Sequence, residues 1–383
     1  MNNTDNFIIN ILKDGELLTC GMFGCIYKFN IKKKYYCIKF NFRKEEINYN
    51  LLYQKIKNMD KIPKKYIYNH YDAEVKIQKI LNNINGEDIN NKKLPFTIKI
   101  YNDGKIINKE IINKIKNIIN QKFIKKNNKK KFINEFIKNI KLCNEINYFI
   151  MDYVPNIELS NFIYDANGDI KLNKFDELKE LHTYLFYIIY YLDLINKIYD
   201  FYHGDLHHRN IILVNDEEYD KNKIKYRIIK WNNHYYKLQI YKYRPYIIDF
   251  GMASIFNKNI INQNIIYYNV YMNIINKSIK LLNKNQIILF ELYIELEYFY
   301  CHLQYNQINN YINYFNINKL KILEHIFNYK LNNIKNMNLI LKNINKDYVN
   351  YDCATSFLKF IFPKLNNQNV YNFLKLFQIN YKK

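Results

Sequence analysis

Two stretches of the chain decide its fold class: FYHGDLHHRNIILV at 201–214 and YIIDFGMAS at 246–254. In the first, Asp205 and Asn210 stand five residues apart on one loop, and in the second, Asp249 follows an apolar segment typical of a strand. An Asp can accept the proton of an attacking hydroxyl group, and Asp and Asn oxygens are ligands that Mg²⁺ prefers. The two stretches therefore predict phosphoryl transfer, with Asp205 as the base and Asn210 and Asp249 as metal ligands.

The chain is strongly basic, with 58 Lys and Arg residues against 35 Asp and Glu residues and a formal charge of +23. Such a charge by itself suggests a nucleic-acid or membrane partner. However, the crowded residue types, Asn, Ile, Lys and Tyr, have AT-rich codons, and Gly, Pro and Trp are scarce. Lysine also lacks the planar guanidinium group with which arginine forms bidentate hydrogen bonds to phosphates and bases. We therefore attribute much of the charge to codon composition and expect no dedicated nucleic-acid binding.

Several features predict the environment of the protein. The six cysteines form no CxxC pair and have no histidine at zinc-ligand spacing, which predicts reduced thiols in a cytosol-like compartment. The first ten residues, MNNTDNFIIN, lack the pattern of a signal peptide. The most apolar stretch, Leu185 to Ile198, is short and interrupted by Asp193, which favours a buried helix over a membrane span. We therefore expect a soluble, cytoplasmic protein without a membrane span.

The hydrophobic pattern of the first part of the chain is mixed. Residues 15–42 alternate in polarity and contain glycines, as a hairpin does, whereas 71–82 has helical spacing. The stretch 94–101 predicts a strand ended by Asn-Asp-Gly, and 147–154 predicts a buried strand. Between them, the Lys- and Asn-rich residues 106–145 predict a helical insertion.

Beyond Pro155 the spacing of apolar residues becomes mainly helical, as in 176–200. A mixed part followed by a helical part predicts an α+β fold in two lobes. We expect a small β-rich lobe at residues 1–154 and a mainly helical lobe at 155–383, with an extra β-hairpin at about 215–245 in the second lobe.

The sequence motifs of this chain, and their order, resemble those of the protein-kinase superfamily. The segment TCGMFGCIYK resembles its phosphate-covering glycine loop, YYCIK resembles its lysine-bearing strand, and FIMDYVPNIELSNFI resembles its hinge. Half of the eight glycines fall within the motifs, namely Gly21, Gly24, Gly204 and Gly251. The resemblance covers about residues 15–300 and implies a two-lobed, protein-kinase-like fold that binds ATP and Mg²⁺.

The resemblance assigns the N-terminal residues to the nucleotide. Gly21, Gly24 and Ile26 would cover ATP. Lys39 would hold the phosphates of ATP during the transfer, and Glu74 would orient Lys39 through an ion pair.

The resemblance likewise assigns the adenine and metal contacts. Met151 would guard the back of the adenine pocket, and the backbone from Asp152 to Val154 would contact adenine. Asn210 and Asp249 would bind Mg²⁺ beside the catalytic base.

Departures from the common kinase pattern suggest a closer relative. Gly204 and His207 stand where most regulated serine/threonine kinases carry Arg and Lys, and no Ala-Pro-Glu motif follows Gly251. The pattern HGDLHxxN, the AT-rich composition and the hairpin at 215–245 resemble the serine/threonine kinases of poxviruses and other large cytoplasmic DNA viruses. That resemblance implies phosphorylation of viral or host proteins, in the host cytoplasm or in the virion.

Two alternative functions stay open at this point. A small-molecule phosphotransferase of the aminoglycoside type is favoured by His207 and by the missing Ala-Pro-Glu motif. A non-catalytic kinase-like scaffold is disfavoured because Lys39, Asp205, Asn210 and Asp249 are all present. The sequence does not fix the acceptor or the oligomeric state.

The sequence also bears on activation. Gly204 offers no cation to receive a phosphate beside the catalytic loop, and Ser254 is the only early hydroxyl after Gly251. We therefore expect an enzyme that is competent without phosphorylation of this segment.

Overall fold

The protein is described by a computed structural model that covers residues 3–20, 24–42, 63–126, 138–163, 165, 175–199, 201–203, 209–231, 233–263 and 377–380. Four residues with predicted roles, Gly21, Gly204, Asp205 and His207, lie outside these described residues. The chain forms two compact units. The first comprises Met1–Asn83, Thr97–Pro155 and Asp249–Ile266, and the second comprises Ile84–Phe96, Asn156–Ile248 and Tyr267–Lys383.

The described helices are α1 Asn3–Asp14, α2 His70–Leu81, α3 Lys109–Lys126, α4 Leu159–Ile163 and α5 Phe175–Ile198. The described strands are β1 Glu16–Cys20, β2 Gly24–Ile31, β3 Lys34–Asn41, β4 Ile67–Tyr68, β5 Gly86–Glu87, β6 Lys93–Leu94, β7 Ile100–Ile106, β8 Ile146–Asp152, β9 Asn156–Glu158, β10 Phe201–Tyr202, β11 Ile211–Asn215, β12 Tyr226–Trp231, β13 His234–Gln239, β14 Tyr243–Ile247, β15 Ser254–Ile255, β16 Ile261–Asn262 and β17 Gln378–Ile379.

The first unit is built on an antiparallel sheet with the strand order β1-β2-β3-β8-β7. Alternating burial along β2 gives this sheet two distinct faces. On one face, Tyr27, Ile38 and Phe40 are fully buried and join Ile8 of α1 and Ile111 of α3 in one hydrophobic cluster. That cluster leaves the opposite face of the sheet to α2.

Helix α2 begins at His70 because Asn69 caps it: the Asn69 side-chain oxygen accepts a hydrogen bond from the Asp72 N–H at 2.8 Å. Two buried contacts attach the helix to the rest of the first unit. The Tyr71 hydroxyl donates to the backbone oxygen of Tyr148 in β8, and the Gln78 amide donates to the oxygen of Ile98 at 2.7 Å. The first turn of α2 is therefore attached to β8, and its C-terminal part is attached to the segment that precedes β7.

The prediction that Asn-Asp-Gly ends a strand at 94–101 is wrong. These residues, 102–104, lie inside β7, which pairs with β8 from Ile100 to Ile106 around an irregularity near its start. Gly104 lies against the side chain of Tyr148, because a Cβ atom at this position would come within 2.6 Å of the Tyr148 hydroxyl oxygen. Pairing at the edge of the sheet overrides the turn preference of the tripeptide.

The expectation that all six cysteines are reduced thiols is also wrong. Cys37 and Cys143 are free and buried, but Cys25 is disulfide-bonded. In the β1–β2 ladder the backbone partner of Cys25 is Cys20. Metal-ligand spacing along the chain carries no information about disulfides between cysteines at other spacings.

The second unit contains a sheet with the order β14-β11-β9 and a separate sheet with the order β12-β13-β17. Strands β12 and β13 form a hairpin within the stretch 215–245. Arg227 of this hairpin is buried and donates two hydrogen bonds to the Asp216 carboxylate, at 2.9 and 3.0 Å, and a third to the Tyr187 hydroxyl of α5 at 2.8 Å. The hairpin is thus joined to α5 by a buried ionic network.

Sheets and helices occur together in the described residues, so the predicted α+β class is confirmed. Within the expected insertion at 106–145, the structure places α3. Of the predicted helical lobe, residues 264–376 and 381–383 lie outside the described residues. Among the helices that are described, none combines the length and the apolar character needed to cross a membrane.

Gly24 generates a prediction about stability. A Cβ atom at this position would lie 1.8 Å from the backbone oxygen of Phe40, so the paired strands leave no room for a side chain. We expect Gly24→Ala to lower the free energy of unfolding by about 1–3 kcal/mol, the usual cost of overpacking. Chemical denaturation would measure it, with Ile31→Ala at the exposed end of β2 as the control for a smaller loss. A Gly24→Ala protein as stable as the wild type would contradict the strand geometry.

Candidate active site

The centre of the candidate site is an ion pair between β3 and α2. The Lys39 Nζ lies 2.5 Å from the Glu74 Oε1, with the Lys39 side chain 24% exposed and the Glu74 side chain 4% exposed. Lys39 sits on the sheet face that carries α2, because its neighbours Ile38 and Phe40 occupy the opposite, fully buried face. The structure thus brings together two residues that are 35 positions apart in the sequence.

Burial and charge act against each other in this pair. Burial lowers the pKa of the Lys39 ammonium, but Glu74 and Asp249 more than offset this, and the pKa of Lys39 is raised above its usual value. Burial raises the pKa of Glu74, while the Lys39 charge opposes that rise. Lys39 is therefore a cation at neutral pH, and its charge keeps the buried Glu74 carboxylate from being left uncompensated.

Asp249 approaches the same lysine. Its Oδ1 lies 3.9 Å from Lys39 Nζ and 3.9 Å from His70 Nε2, and its side chain is 40% exposed. The backbone of Asp249 is left-handed, with φ 62° and ψ 67°. A residue other than glycine pays about 1–3 kcal/mol for such a conformation, and residues held in this way concentrate at functional sites. Asp249, with a strained backbone and a carboxylate beside the partly buried Lys39 ammonium, is therefore a functional-site candidate.

Three of the predicted nucleotide contacts, Ile26, Lys39 and Met151, share one face of the sheet. Ile26 is the backbone partner of Lys39, and Lys39 is in turn the partner of Phe149 in β8. Met151 is buried two residues further along β8, on the same face. The Lys39 ammonium lies 5.6 Å from the centre of the Phe149 ring. Lys39 is thus flanked by apolar side chains on both neighbouring strands.

The hinge-like segment after β8 is held by hydrogen bonds within the first unit. The Asp152 N–H donates to the Lys99 oxygen at 3.0 Å, and the Tyr153 N–H donates to the Tyr35 oxygen at 3.4 Å. The Asp152 carboxylate also accepts from the Lys34 ammonium at 2.8 Å. These two N–H groups are therefore engaged by the protein. Val154 is half-buried, and the expected adenine contact of its backbone stays a prediction.

In the second unit, Asn210 directly precedes β11 and is buried. Its backbone oxygen accepts from the Ile248 N–H at 2.9 Å, which continues the β11–β14 ladder beyond the pair of Ile211 and Ile247. His203 is fully buried, with its Nε2 3.2 Å from the Ile248 oxygen. The strands thus fix Asn210 and the residue before Asp249 at the same end of one ladder.

The side chains near Lys39 differ in how well their ligand atoms suit a metal ion. One ligand atom each of His70, Glu74 and Asp249 lies within 4.8 Å of the others. The Glu74 carboxylate is already paired with the Lys39 ammonium. A metal ion bound by all three side chains would therefore compete with that ammonium. The Asp249 carboxylate and the Asn210 amide offer the hard oxygen ligands that suit Mg²⁺. Each of these two residues thus offers an oxygen ligand of the kind that suits Mg²⁺, whereas the three-residue cluster contains a carboxylate that is already paired with Lys39.

Two residues beside this site, His70 and Asn262, were not predicted from the sequence. His70 lies four residues before Glu74 on α2, so helical periodicity could have pointed to it. Asn262 donates from its side-chain amide to the Gly251 oxygen and is fully buried. No local pattern marks Asn262, because its contact depends on how the chain after Gly251 folds back.

No protein-family model and no curated protein matches the sequence. Among solved structures, a crystal structure of a kinase domain aligns at 17% identity over 63% of this chain and 50% of that chain, with a TM-score of 0.29. WaaP in complex with acyl carrier protein aligns at 8% identity over 66% and 70%, with a TM-score of 0.29, and the pseudokinase PEAK1 at 11% over 95% and 89%, with a TM-score of 0.32. The chain thus spans half the length of the first of these. Function is therefore inferred from the local geometry around Lys39 and not from these superpositions.

The buried pair generates a prediction about stability. Lys39→Met leaves Glu74 buried without its partner, so we expect the free energy of unfolding to fall by about 3 kcal/mol. The double variant Lys39→Met/Glu74→Leu removes both charges and should recover most of that loss. Chemical denaturation of the single and double variants would measure the coupling.

The exposed pair of Lys114 and Glu110 in α3 provides the control. Lys114→Met should cost less than about 0.5 kcal/mol, as surface pairs usually do. If the losses at Lys39 and Glu74 simply add, the two side chains do not form a buried pair.

Proposed function

We propose that the protein is an ATP-dependent protein kinase that transfers the γ-phosphate of Mg-ATP to serine or threonine hydroxyl groups. The observation that supports this most directly is the Lys39–Glu74 ion pair with the Asp249 carboxylate 3.9 Å from the same ammonium. Phosphoryl transfer in kinases requires a lysine oriented by a helical glutamate and an aspartate that holds the metal. The first unit offers these three groups together.

The proposed mechanism gives Lys39 the task of holding the α- and β-phosphates. Its point charge would lie in a partly desolvated position, where electrostatic stabilisation is stronger than in water. Glu74 would keep the ammonium in place, since its helix is held by hydrogen bonds and the strand of Lys39 is paired with β2 and β8. Gly21, Gly24 and Ile26 would cover the nucleotide from the side of β2.

The adenine end of the nucleotide would lie against Met151 and the backbone from Asp152 to Val154. Asn210 and Asp249 would hold Mg²⁺, which when bound neutralises charge on the phosphates. The ligand chemistry of these two residues supports that assignment.

Asp205 is proposed as the residue that orients the acceptor hydroxyl and takes its proton. The support comes from the sequence, where Asp205 stands on the same loop as Asn210. Because an aspartate in this role acts mainly in the transition state, it would contribute little to the binding of ATP.

The acceptor class separates the proposal from its alternatives. The viral-kinase resemblance of the motifs favours protein hydroxyl groups, and the pattern HGDLHxxN equally suits a small-molecule phosphotransferase. A non-catalytic scaffold is disfavoured by the close approach of Lys39, Glu74 and Asp249. We therefore keep the small-molecule acceptor as the second candidate.

The proposed partners are viral or host proteins that serve as substrates, and no dedicated nucleic-acid partner is proposed. The proposed location is the host cytoplasm or the virion. Because Cys25 is disulfide-bonded, the cysteine content no longer supports a reducing compartment, and the location rests on the resemblance alone.

The proposed function is tested by the full-length protein and its Asp205→Asn variant with labelled ATP, Mg²⁺, a panel of proteins, and a panel of aminoglycosides and sugars. We expect the wild type to label proteins, and the variant to lose phosphotransfer while its affinity for ATP changes little. Turnover of the variant above about a tenth of wild type would show that Asp205 is not the base. Labelling of the small molecules alone would favour the second candidate, and Mg-dependent nucleotide binding without any transfer would favour a scaffold.

The environment of Ser254 generates a prediction about activation. Ser254 is fully buried, and its hydroxyl oxygen accepts a hydrogen bond from the Asn262 N–H at 3.0 Å, so a phosphate at this position would break the packing. We expect protein made in bacteria and treated with phosphatase to phosphorylate its substrate without a lag, with Ser254 unmodified by mass spectrometry. Activity that develops only after preincubation with ATP would contradict this expectation.

A further inference from the structure

We infer that His70 and Asn262 are positioning residues that hold Asp249 in its left-handed conformation by fixing Gly251 from two sides. The inference rests on the proposed function only in its use of Asp249 as a metal ligand. The positioning itself is a property of the unliganded first unit, which contains all four residues.

The first contact is between His70 and Gly251. A Cβ atom built on Gly251 would lie 1.7 Å from His70 Nε2 and 2.2 Å from both Cδ2 and Cε1. The imidazole ring therefore rests directly on the Cα of Gly251, in the space that any other residue would need for its side chain. The same Nε2 lies 3.9 Å from Asp249 Oδ1. One side chain of α2 thus contacts both ends of the Asp-Phe-Gly segment.

The second contact is between Asn262 and Gly251. The Asn262 side chain is fully buried and its amide donates to the Gly251 oxygen. The Asn262 backbone is held in turn, because its N–H donates to the Ser254 hydroxyl oxygen at 3.0 Å. Gly251 is thus fixed through its oxygen as well as through its Cα.

A strand pairing joins the two contacts to each other. Strand β16 runs parallel to β4, with Ile261 opposite Ile67 and Asn262 opposite Tyr68, and the Gln263 N–H donates to the Tyr68 oxygen at 2.9 Å. Strand β4 ends two residues before His70. His70 and Asn262 are therefore both tied to β4, and Gly251 lies between them.

This arrangement accounts for the backbone of Asp249. A left-handed aspartate costs about 1–3 kcal/mol and persists only where its surroundings determine it. Phe250 is fully buried and Gly251 is fixed at two points, so the residue before them has little freedom. Because His70 belongs to the helix that carries Glu74, the position of the Asp249 carboxylate is coupled to the helix that orients Lys39.

The coupling can be tested without nucleotide by amide hydrogen exchange of residues 249–263. The variants are His70→Ala, Asn262→Ala and the double variant, in the full-length protein. We expect each single variant to speed exchange in this segment by about tenfold. The reason is that each variant loses one contact, and with it part of the free energy that holds Asp249 in its left-handed conformation. Lys79→Ala on the exposed side of the same helix is the control and should leave the segment unchanged.

The conservative variant His70→Phe separates positioning from general destabilisation. It keeps a flat ring against Gly251, so it should restore slow exchange. If His70→Ala leaves exchange in 249–263 unchanged, or if His70→Ala and Asn262→Ala speed exchange equally throughout the first unit, the inference is overturned.

A second readout joins the inference to the proposed site. In the His70→Ala and Asn262→Ala proteins, we expect the Mg²⁺ concentration that gives half-maximal binding of ATP to rise several-fold, and binding of ATP without Mg²⁺ to change little. Failure of the wild type to bind Mg-ATP would count against the proposed function, while the exchange experiment would still decide the role of His70 and Asn262. Normal exchange together with a normal Mg²⁺ requirement in both variants would overturn the inference alone.

Discussion

The buried ion pair of Lys39 and Glu74 is the constraint on which the candidate site depends. A carboxylate that is 4% exposed cannot stay ionised without a nearby cation, and separating the two residues would leave a charge in a medium that solvates it poorly. The pair therefore requires that β3 and α2 keep a fixed position relative to each other. The Asn69 cap and the anchors of Tyr71 and Gln78 meet this requirement, because they fix the start of the helix and its attachment to the sheet.

The same principle governs the second unit, with arginine in place of lysine. The chain has 54 lysines among its 58 basic residues, yet Arg227 is the residue that is buried against Asp216 and Tyr187. Its fork binds both carboxylate oxygens and the hydroxyl at once, which an ammonium cannot do with the same geometry. Arg227 also holds the pKa of Asp216 below its usual range, although burial alone would raise it. The exposed surface can follow codon composition, whereas a buried network selects the chemically suitable cation.

The segment after Asp249 shows a different kind of constraint. Gly204 provides no cation next to Asp205, the proposed base, so other contacts have to order this segment. Here strand β16 pairs with β4, and Asn262 and Ser254 close the segment with buried hydrogen bonds. The position of Asp249 is then set by packing against α2 and by strand pairing, which are present as soon as the unit folds.

Local chemistry along the chain was enough to predict the α+β class and helix α2, because these follow from alternation and helical spacing. The lysine-bearing strand and the partnership of Lys39 with Glu74 were predicted only through the resemblance of the motifs to a known family. The Asn-Asp-Gly tripeptide in β7 was misjudged because strand pairing, which is not a local property, decides its conformation. The disulfide of Cys25 was misjudged because cysteine spacing along the chain does not reveal it. His70 and Asn262 belong to the same class. Their role depends on Gly251 reaching the start of α2 and on residue 262 returning to β4, contacts between residues about 180 to 190 positions apart. The sequence thus determined which residues could do the chemistry, and the tertiary structure decided what holds them, because close packing joins residues without regard to their distance along the chain.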